Sequence, residues 1–278
     1  MKIQLLCFAI LMAFASCSSN NDEILTENPQ QRTVDRPNKI SWNFPVLSPN
    51  GVGNMTDPNI YFEYDSQGRV AKKVGGFIFI DPNTGYNSIH FSKDIYTSVS
   101  YNGNIISIST FSSSPDYIVP INKRTFEVDN QGRIMKSIIP SVDNPYFDKH
   151  LNYSYDSSGK LIEILTTFPN MPYDPTDPDD FIWTIAKRFT YDNIGNLKKS
   201  VEVERHNNVD FHIENTVEFS NFDTAPNPFK KLQIFEEYFY FSLSKNNFQK
   251  EVKLYNSGIG ESKWVNQYDS NGNVKLYY

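Results

Sequence analysis

Apolar and polar positions alternate with period two along much of this chain. In Val201-Glu202-Val203-Glu204 the valines take one side and the glutamates the other. From Phe211 to Phe219, positions 211, 213, 217 and 219 are apolar, while His212, Glu214, Thr216 and Glu218 are polar. Such alternation marks antiparallel strands with one wet face. Two runs, Gly76 to Ile80 and Phe239 to Leu243, are apolar at nearly every position and predict strands covered on both sides. The stretch Phe229 to Leu243 also fits a second pattern. Phe229, Leu232, Phe235 and Phe239 have helical spacing, and Pro228 suits a first turn. A helical turn or two, followed by strand, is expected there.

Between the alternating segments one short phrase recurs. It reads Tyr64-Asp65-Ser66-Gln67-Gly68-Arg69-Val70, then returns at Val128 to Ile134, Tyr155 to Leu161, Tyr191 to Leu197 and Tyr268 to Val274. Asp accepts hydrogen bonds from backbone N–H groups just ahead of it, and Gly takes the positive φ of a type I turn with a G1 bulge. Each copy therefore predicts a β-hairpin tip. Tyr101-Asn102-Gly103-Asn104-Ile105 is a shortened copy with an Asn-Gly turn. Phe222-Asp223-Thr224-Ala225-Pro226 begins alike but has no Gly. An internal repeat of this kind fixes architecture first. Seven hairpins predict an all-β fold: an antiparallel meander of about 12–14 strands, forming a curled sheet or a barrel-like single domain.

These residues carry a resemblance. The phrase resembles the YD repeats of bacterial Rhs-type surface proteins, though the copies here are fewer and less regular. The chain is more similar to secreted bacteroidete-type lipoproteins of unknown function with a porin-like β fold. That likeness covers roughly residues 55–278 and includes the segments Phe222 to Phe229 and Ser244 to Asn247. It implies a fold and a place in the cell envelope, and no activity.

The ends refine the picture. Lys2 followed by the apolar Ile3 to Ala13 has the form of a signal sequence, too short to span a bilayer. Phe14-Ala15-Ser16-Cys17 resembles a lipoprotein cleavage box, with Phe14 where Leu is usual. The expected organisation is a signal peptide over 1–16, lipidated Cys17 with a flexible tether over 17–38, and one all-β domain over 39–278. Ser18 is not an inner-membrane retention Asp, so the expected location is the outer membrane, facing the periplasm or the cell surface. The only other cysteine, Cys7, lies in the signal peptide, so the mature domain has no disulfide and no thiol nucleophile. The net charge of −6 and the absence of a basic stripe argue against nucleic acid as a partner. Consecutive charges at Lys72-Lys73 and Lys198-Lys199 do not fit the lipid-facing band of a membrane barrel.

Candidate chemistry is sparse. His90, His150, His206 and His212 form no His-Glu-x-x-His motif, although His206 and His212 flank a predicted turn at Asn207-Asn208 and can approach across a hairpin. No nucleophile elbow and no phosphate-cradling Gly loop is present. The expectation is no catalytic residue, no metal site and no cofactor. Trp42, Trp183 and Trp264 are the candidates for a sugar-stacking platform, and Thr224 in Asp223-Thr224-Ala225 is a candidate glycosylation site. The favoured reading is a lipid-anchored, non-catalytic envelope protein that binds or scaffolds a glycan or an envelope protein. The alternatives are a carbohydrate hydrolase with a carboxylate pair in a barrel mouth, and a carrier of an apolar ligand in a dry cavity.

Overall fold

The computed structural model describes residues 36–46, 57–79, 89–120 and 122–278. Cys17, the signal peptide and most of the tether lie outside them. The described chain forms fourteen antiparallel strands in one sheet, in unbroken sequence order. They are β1 (Lys39–Ser41), β2 (Asn59–Tyr64), β3 (Val70–Phe79), β4 (Ile89–Asn102), β5 (Ile105–Ser112), β6 (Arg124–Val128) and β7 (Ile134–Ile139). The second half holds β8 (Lys149–Tyr155), β9 (Leu161–Thr167), β10 (Trp183–Tyr191), β11 (Leu197–His206), β12 (Val209–Ser220), β13 (Lys250–Tyr255) and β14 (Gly258–Lys263). The all-β meander expected from the repeats is what forms.

The repeated phrase makes the tips between β2 and β3, β6 and β7, β8 and β9, and β10 and β11. The turn at Asp129 shows the mechanism. Asp129 Oδ1 accepts from the N–H groups of Gln131 and Arg133 at 2.9 and 3.0 Å. Gly132 takes a φ of 76°, and the register slips by one residue between Glu127 and Val128. That is the predicted bulge: the left-handed residue adds one position to one strand and tightens the twist. The Asn102-Gly103 turn joins β4 to β5. All these tips, being alternate connections of a meander, line one rim of the sheet.

The sheet curls around a segment of its own chain. The connection from β12 to β13, residues 221–249, folds inward as irregular turns, a single 3-10 turn at Glu236–Tyr238 and a short helix α1 (Phe239–Leu243). Glu237 pairs with Lys73 of β3, and Phe239, two residues on, meets Phe189 of β10 with ring centroids 6.0 Å apart. In a flat sheet β3 and β10 would lie roughly 34 Å apart, while two residues span at most about 7 Å. Only a strongly curled sheet brings both strands to one plug. Phe229, Leu232 and Phe248 of this plug are almost wholly buried, in one cluster with Phe62, Phe126, Phe189 and Phe219 from the strands.

The strand expected over Phe239 to Leu243 is instead helix α1. Its side chains must point in several directions at once: Phe239 to Phe189, Tyr240 to Phe219, Phe241 to Phe229 and Phe248. A helical turn does this and a strand, with two faces, does not. The alternation from Phe211 to Phe219 also breaks. Phe211 and Ile213 are exposed, whereas Val217 and Phe219 are buried. The register of β12 on β11 skips Glu214 and Phe211, so both are bulged residues that reset which side faces inward. On β3, Phe77 is half exposed, so the cover expected over that apolar run is incomplete.

β1 and β14 are not paired with each other. The C-terminal tail crosses the gap between them. Trp264 N–H bonds Gln249 O at 3.0 Å, Lys275 N–H bonds Gln267 O at 2.7 Å, and Ser41 N–H of β1 bonds Leu276 O at 2.8 Å.

Candidate functional site: a basic cavity at the repeat rim

Neighbouring copies of the phrase are joined side by side. The Tyr101 hydroxyl donates to Val70 O at 3.0 Å, Tyr155 to Ile134 O at 2.8 Å and Tyr191 to Leu161 O at 2.9 Å. In each case the acceptor is the last residue of the preceding copy on that rim. The basic residue of that same phrase covers the tyrosine ring: Arg69 lies 3.9 Å from the Tyr101 centroid, Arg133 4.9 Å from Tyr155, and Lys160 5.5 Å from Tyr191. A row of turns thereby becomes a rigid ledge.

Where this ledge meets the plug there is a cavity of about 500 Å³. Its walls are the turns around Arg133, Gly159 and Gly195, its far side is the plug from Lys230 to Lys245, and Tyr153, Tyr155, Tyr191 and Phe239 give it an aromatic lining. Four cations reach it: Arg133, Lys160, Lys230 and Lys245. No residue lining it is acidic. Arg133 is bound to Asp129 at 2.6 Å. Lys160 and Lys245 converge, since Lys160 Cε and Lys245 Cβ both lie within 4 Å of where a Cβ on Gly195 would sit. Lys230 is exposed as a residue, and its ammonium donates to Ser242 O at 3.3 Å. Burial without a counter-charge pulls its pKa down.

The residues singled out by sequence lie elsewhere. Trp42 meets Phe77 edge-on at 5.6 Å and stacks on Phe91 at 6.3 Å. It lines a second cavity, of about 640 Å³, with Phe44, Lys73, Glu236 and Glu237. Trp183 stacks on Phe168 at 4.3 Å, and Trp264 packs on Phe248 at 5.7 Å. All three are half-buried, with their indole N–H groups enclosed and unbonded. No ring contact among the described residues joins any two of them. Thr224 is exposed. Glu236 and Glu237 are adjacent acids facing one cavity, but Arg124 holds Glu236 at 2.5 Å and Lys73 holds Glu237.

The phrase predicts hairpin tips, and three copies of it also wall the basic cavity. Lys160 and Arg133 were visible as the basic position of the phrase. Lys230 and Lys245 had no sequence signal, because only the fold of the plug returns them to the rim. The two segments that carried the family likeness hold that plug in place. Asn227 Nδ2 donates to Phe241 O and Ser244 O at 2.6 and 2.7 Å, and Ser244 Oγ accepts from Leu197 N–H at 3.2 Å.

No protein-family model matches the chain, and no curated protein does. Among the solved structures similar to it are two porin-like proteins. A porin-like protein from Bacteroides uniformis has 12% identity and a TM-score of 0.46, covering 78% of this chain and 79% of that one. A porin-like protein from Bacteroides vulgatus has 16% identity and a TM-score of 0.46, covering 79% and 87%. The architecture described above stands on its own strand register.

Proposed function

We propose that this is a lipid-anchored outer-membrane protein that binds an anionic glycan, without catalysis, in the cavity between the repeat ledge and the plug. Cys17 carries the lipid, and residues 18–38 tether the domain. One observation carries the reading: four cations gather around a cavity with no acid in its lining, in a chain of net charge −6. Like charges brought together repel, and of the four only Arg133 has a carboxylate in contact, Asp129, so an anion in the cavity is favoured by the cations around it. The size suits one or two sugar rings, and tyrosine faces suit the apolar faces of a pyranose. The exposed Thr224 is available for glycosylation of the protein itself.

The test is an array of acidic, phosphorylated and neutral oligosaccharides probed with the full-length protein in detergent. Acidic or phosphorylated members bind, and the paired substitution Lys230→Met, Lys245→Met removes that binding. Equal binding of neutral members, or acidic binding that survives the paired substitution, overturns the reading.

A further inference from the structure

We propose that Glu204, His212 and Glu214 bind one divalent transition-metal ion of the zinc type at the rim opposite the repeat ledge. Glu204 of β11 stands directly across the ladder from His212 of β12. One ligand atom from each of the three residues lies within 4.8 Å of the others. His212 Nδ1 is 3.6 Å from Glu204 Oε2, and His212 Nε2 is 3.1 Å from Glu214 Oε1. Zinc takes nitrogen and oxygen ligands at about 2.0–2.2 Å, so small side-chain rotations close the set around one ion. Three protein ligands leave a fourth position open.

Three further observations favour a cation here. First, the carboxylates are unneutralised by strand cations. Several cations of β10 and β11 are engaged elsewhere: Lys187 pairs with Glu202, Lys199 with Glu218, Arg188 with Glu163 and Asp210, and Arg205 with Asp210. Among the described residues, Glu204 and Glu214 have only histidines as ion-pair partners. Second, the two bulged residues of β12, Phe211 and Glu214, bracket His212. A regular strand would leave Glu214 one ladder position further along, and bulges re-aim side chains in this way. Third, His206 holds Glu204 from behind, with Nε2 2.5 Å from Oε1. Its ring is itself clamped between Phe181 and Phe211, at centroid distances of 3.5 and 4.1 Å. His206 is thus a positioning residue, and a ligand held by a clamped partner is pre-oriented for metal.

Imidazole directs the choice of ion. Zn²⁺ and the neighbouring late first-row ions accept mixed nitrogen and oxygen ligands, whereas Ca²⁺ and Mg²⁺ take oxygen. The site stands apart from the basic cavity and does not depend on the glycan reading.

The experiment is titration of chelator-treated full-length protein with Zn²⁺ against a chromogenic competitor, with Ca²⁺ in parallel. One Zn²⁺ per chain is expected, and no Ca²⁺. His212→Ala weakens binding at least about 100-fold, and His206→Asn about 10-fold, as for a positioning residue. Far-UV circular dichroism confirms that each variant folds, and His212→Gln, closer in size, replaces His212→Ala if that variant does not. Absence of stoichiometric Zn²⁺ overturns the proposal, as does binding unchanged in the folded His212 variant.

Discussion

The Tyr268 hydroxyl donates a 3.0 Å hydrogen bond to Asp223 Oδ2, tying the last copy of the phrase to the altered copy that begins the plug. The same carboxylate accepts from Asn247 Nδ2 at 3.1 Å, Asn266 Nδ2 at 3.0 Å and the Ala225 N–H at 3.2 Å. Where other copies use Asp to shape a turn, this one uses it to join the start of the plug, its end and the C-terminal tail. Asp223→Ala leaves the buried Asn247 and Asn266 amides short of an acceptor. A loss of about 2–3 kcal/mol is expected, read as a lower urea midpoint. Asp269→Ala, in an exposed turn, costs less than about 1 kcal/mol. Equal losses would show that Asp223 is only another turn residue.

The tyrosine rungs predict alkaline behaviour. Burial pushes Tyr101 and Tyr155 up to about 12 and raises Tyr191 further. The neutral phenol is the form that donates to the neighbouring carbonyl. The sign follows: the contribution is complete below the ordinary phenol value of about 10 and is lost as pH rises through about 12. Near-ultraviolet absorbance should show a class of tyrosines that ionises only above the ordinary value, followed by unfolding. Tyr155→Phe removes one rung, takes that donor from Ile134 O and costs about 1 kcal/mol. Stability of Tyr155→Phe that matches the native protein below pH 10 would refute the rung.

The plug predicts a sharp contrast between two apolar side chains. Phe229 is wholly buried, packed on Phe44, Tyr238 and Phe241 at 5.0 to 5.6 Å. Phe229→Ala should cost about 3–5 kcal/mol. Ile259 on β14 is 75% exposed, and Ile259→Ala should stay within about 0.5 kcal/mol. If Phe229→Ala is also near neutral in urea unfolding, the plug is not the core of the sheet.

The hairpins were legible because Asp129 and Gly132, and their counterparts, act through bonds closed within five residues. Local chemistry is enough to place them, and a meander needs nothing more to set strand order. Phe239 to Leu243 forms a helix where a strand is expected because four apolar residues around one serine have no readable period. Only the hollow they fill decides between helix and strand. Phe211 to Phe219 looked regular because a bulge leaves no mark in composition, yet Glu214 and Phe211 change which face is inward. The cavity was half legible: Arg133 and Lys160 sit in the phrase, while Lys230 and Lys245 reach it through a plug whose path is a tertiary fact. Trp42, Trp183 and Trp264 are the three tryptophans of the chain, and residue type alone says nothing about the Phe91, Phe168 and Phe248 rings they pack against.

The basic cavity predicts that function and stability oppose each other at Lys230. Its ammonium is partly desolvated, lines the same cavity as Lys245 and donates to a carbonyl oxygen, Ser242 O. Methionine has nearly the same length and reach but no charge to desolvate. Lys230→Met should therefore leave the fold intact or stabilise it by about 0.5 kcal/mol, while weakening anionic-ligand binding. Added salt should weaken the native protein's binding more than that of Lys230→Met, since one charge fewer is screened. Thermal melts and binding isotherms on the same samples, at low and moderate salt, give both readouts. A variant that loses stability and keeps its affinity would mean that Lys230 serves the plug and not a ligand.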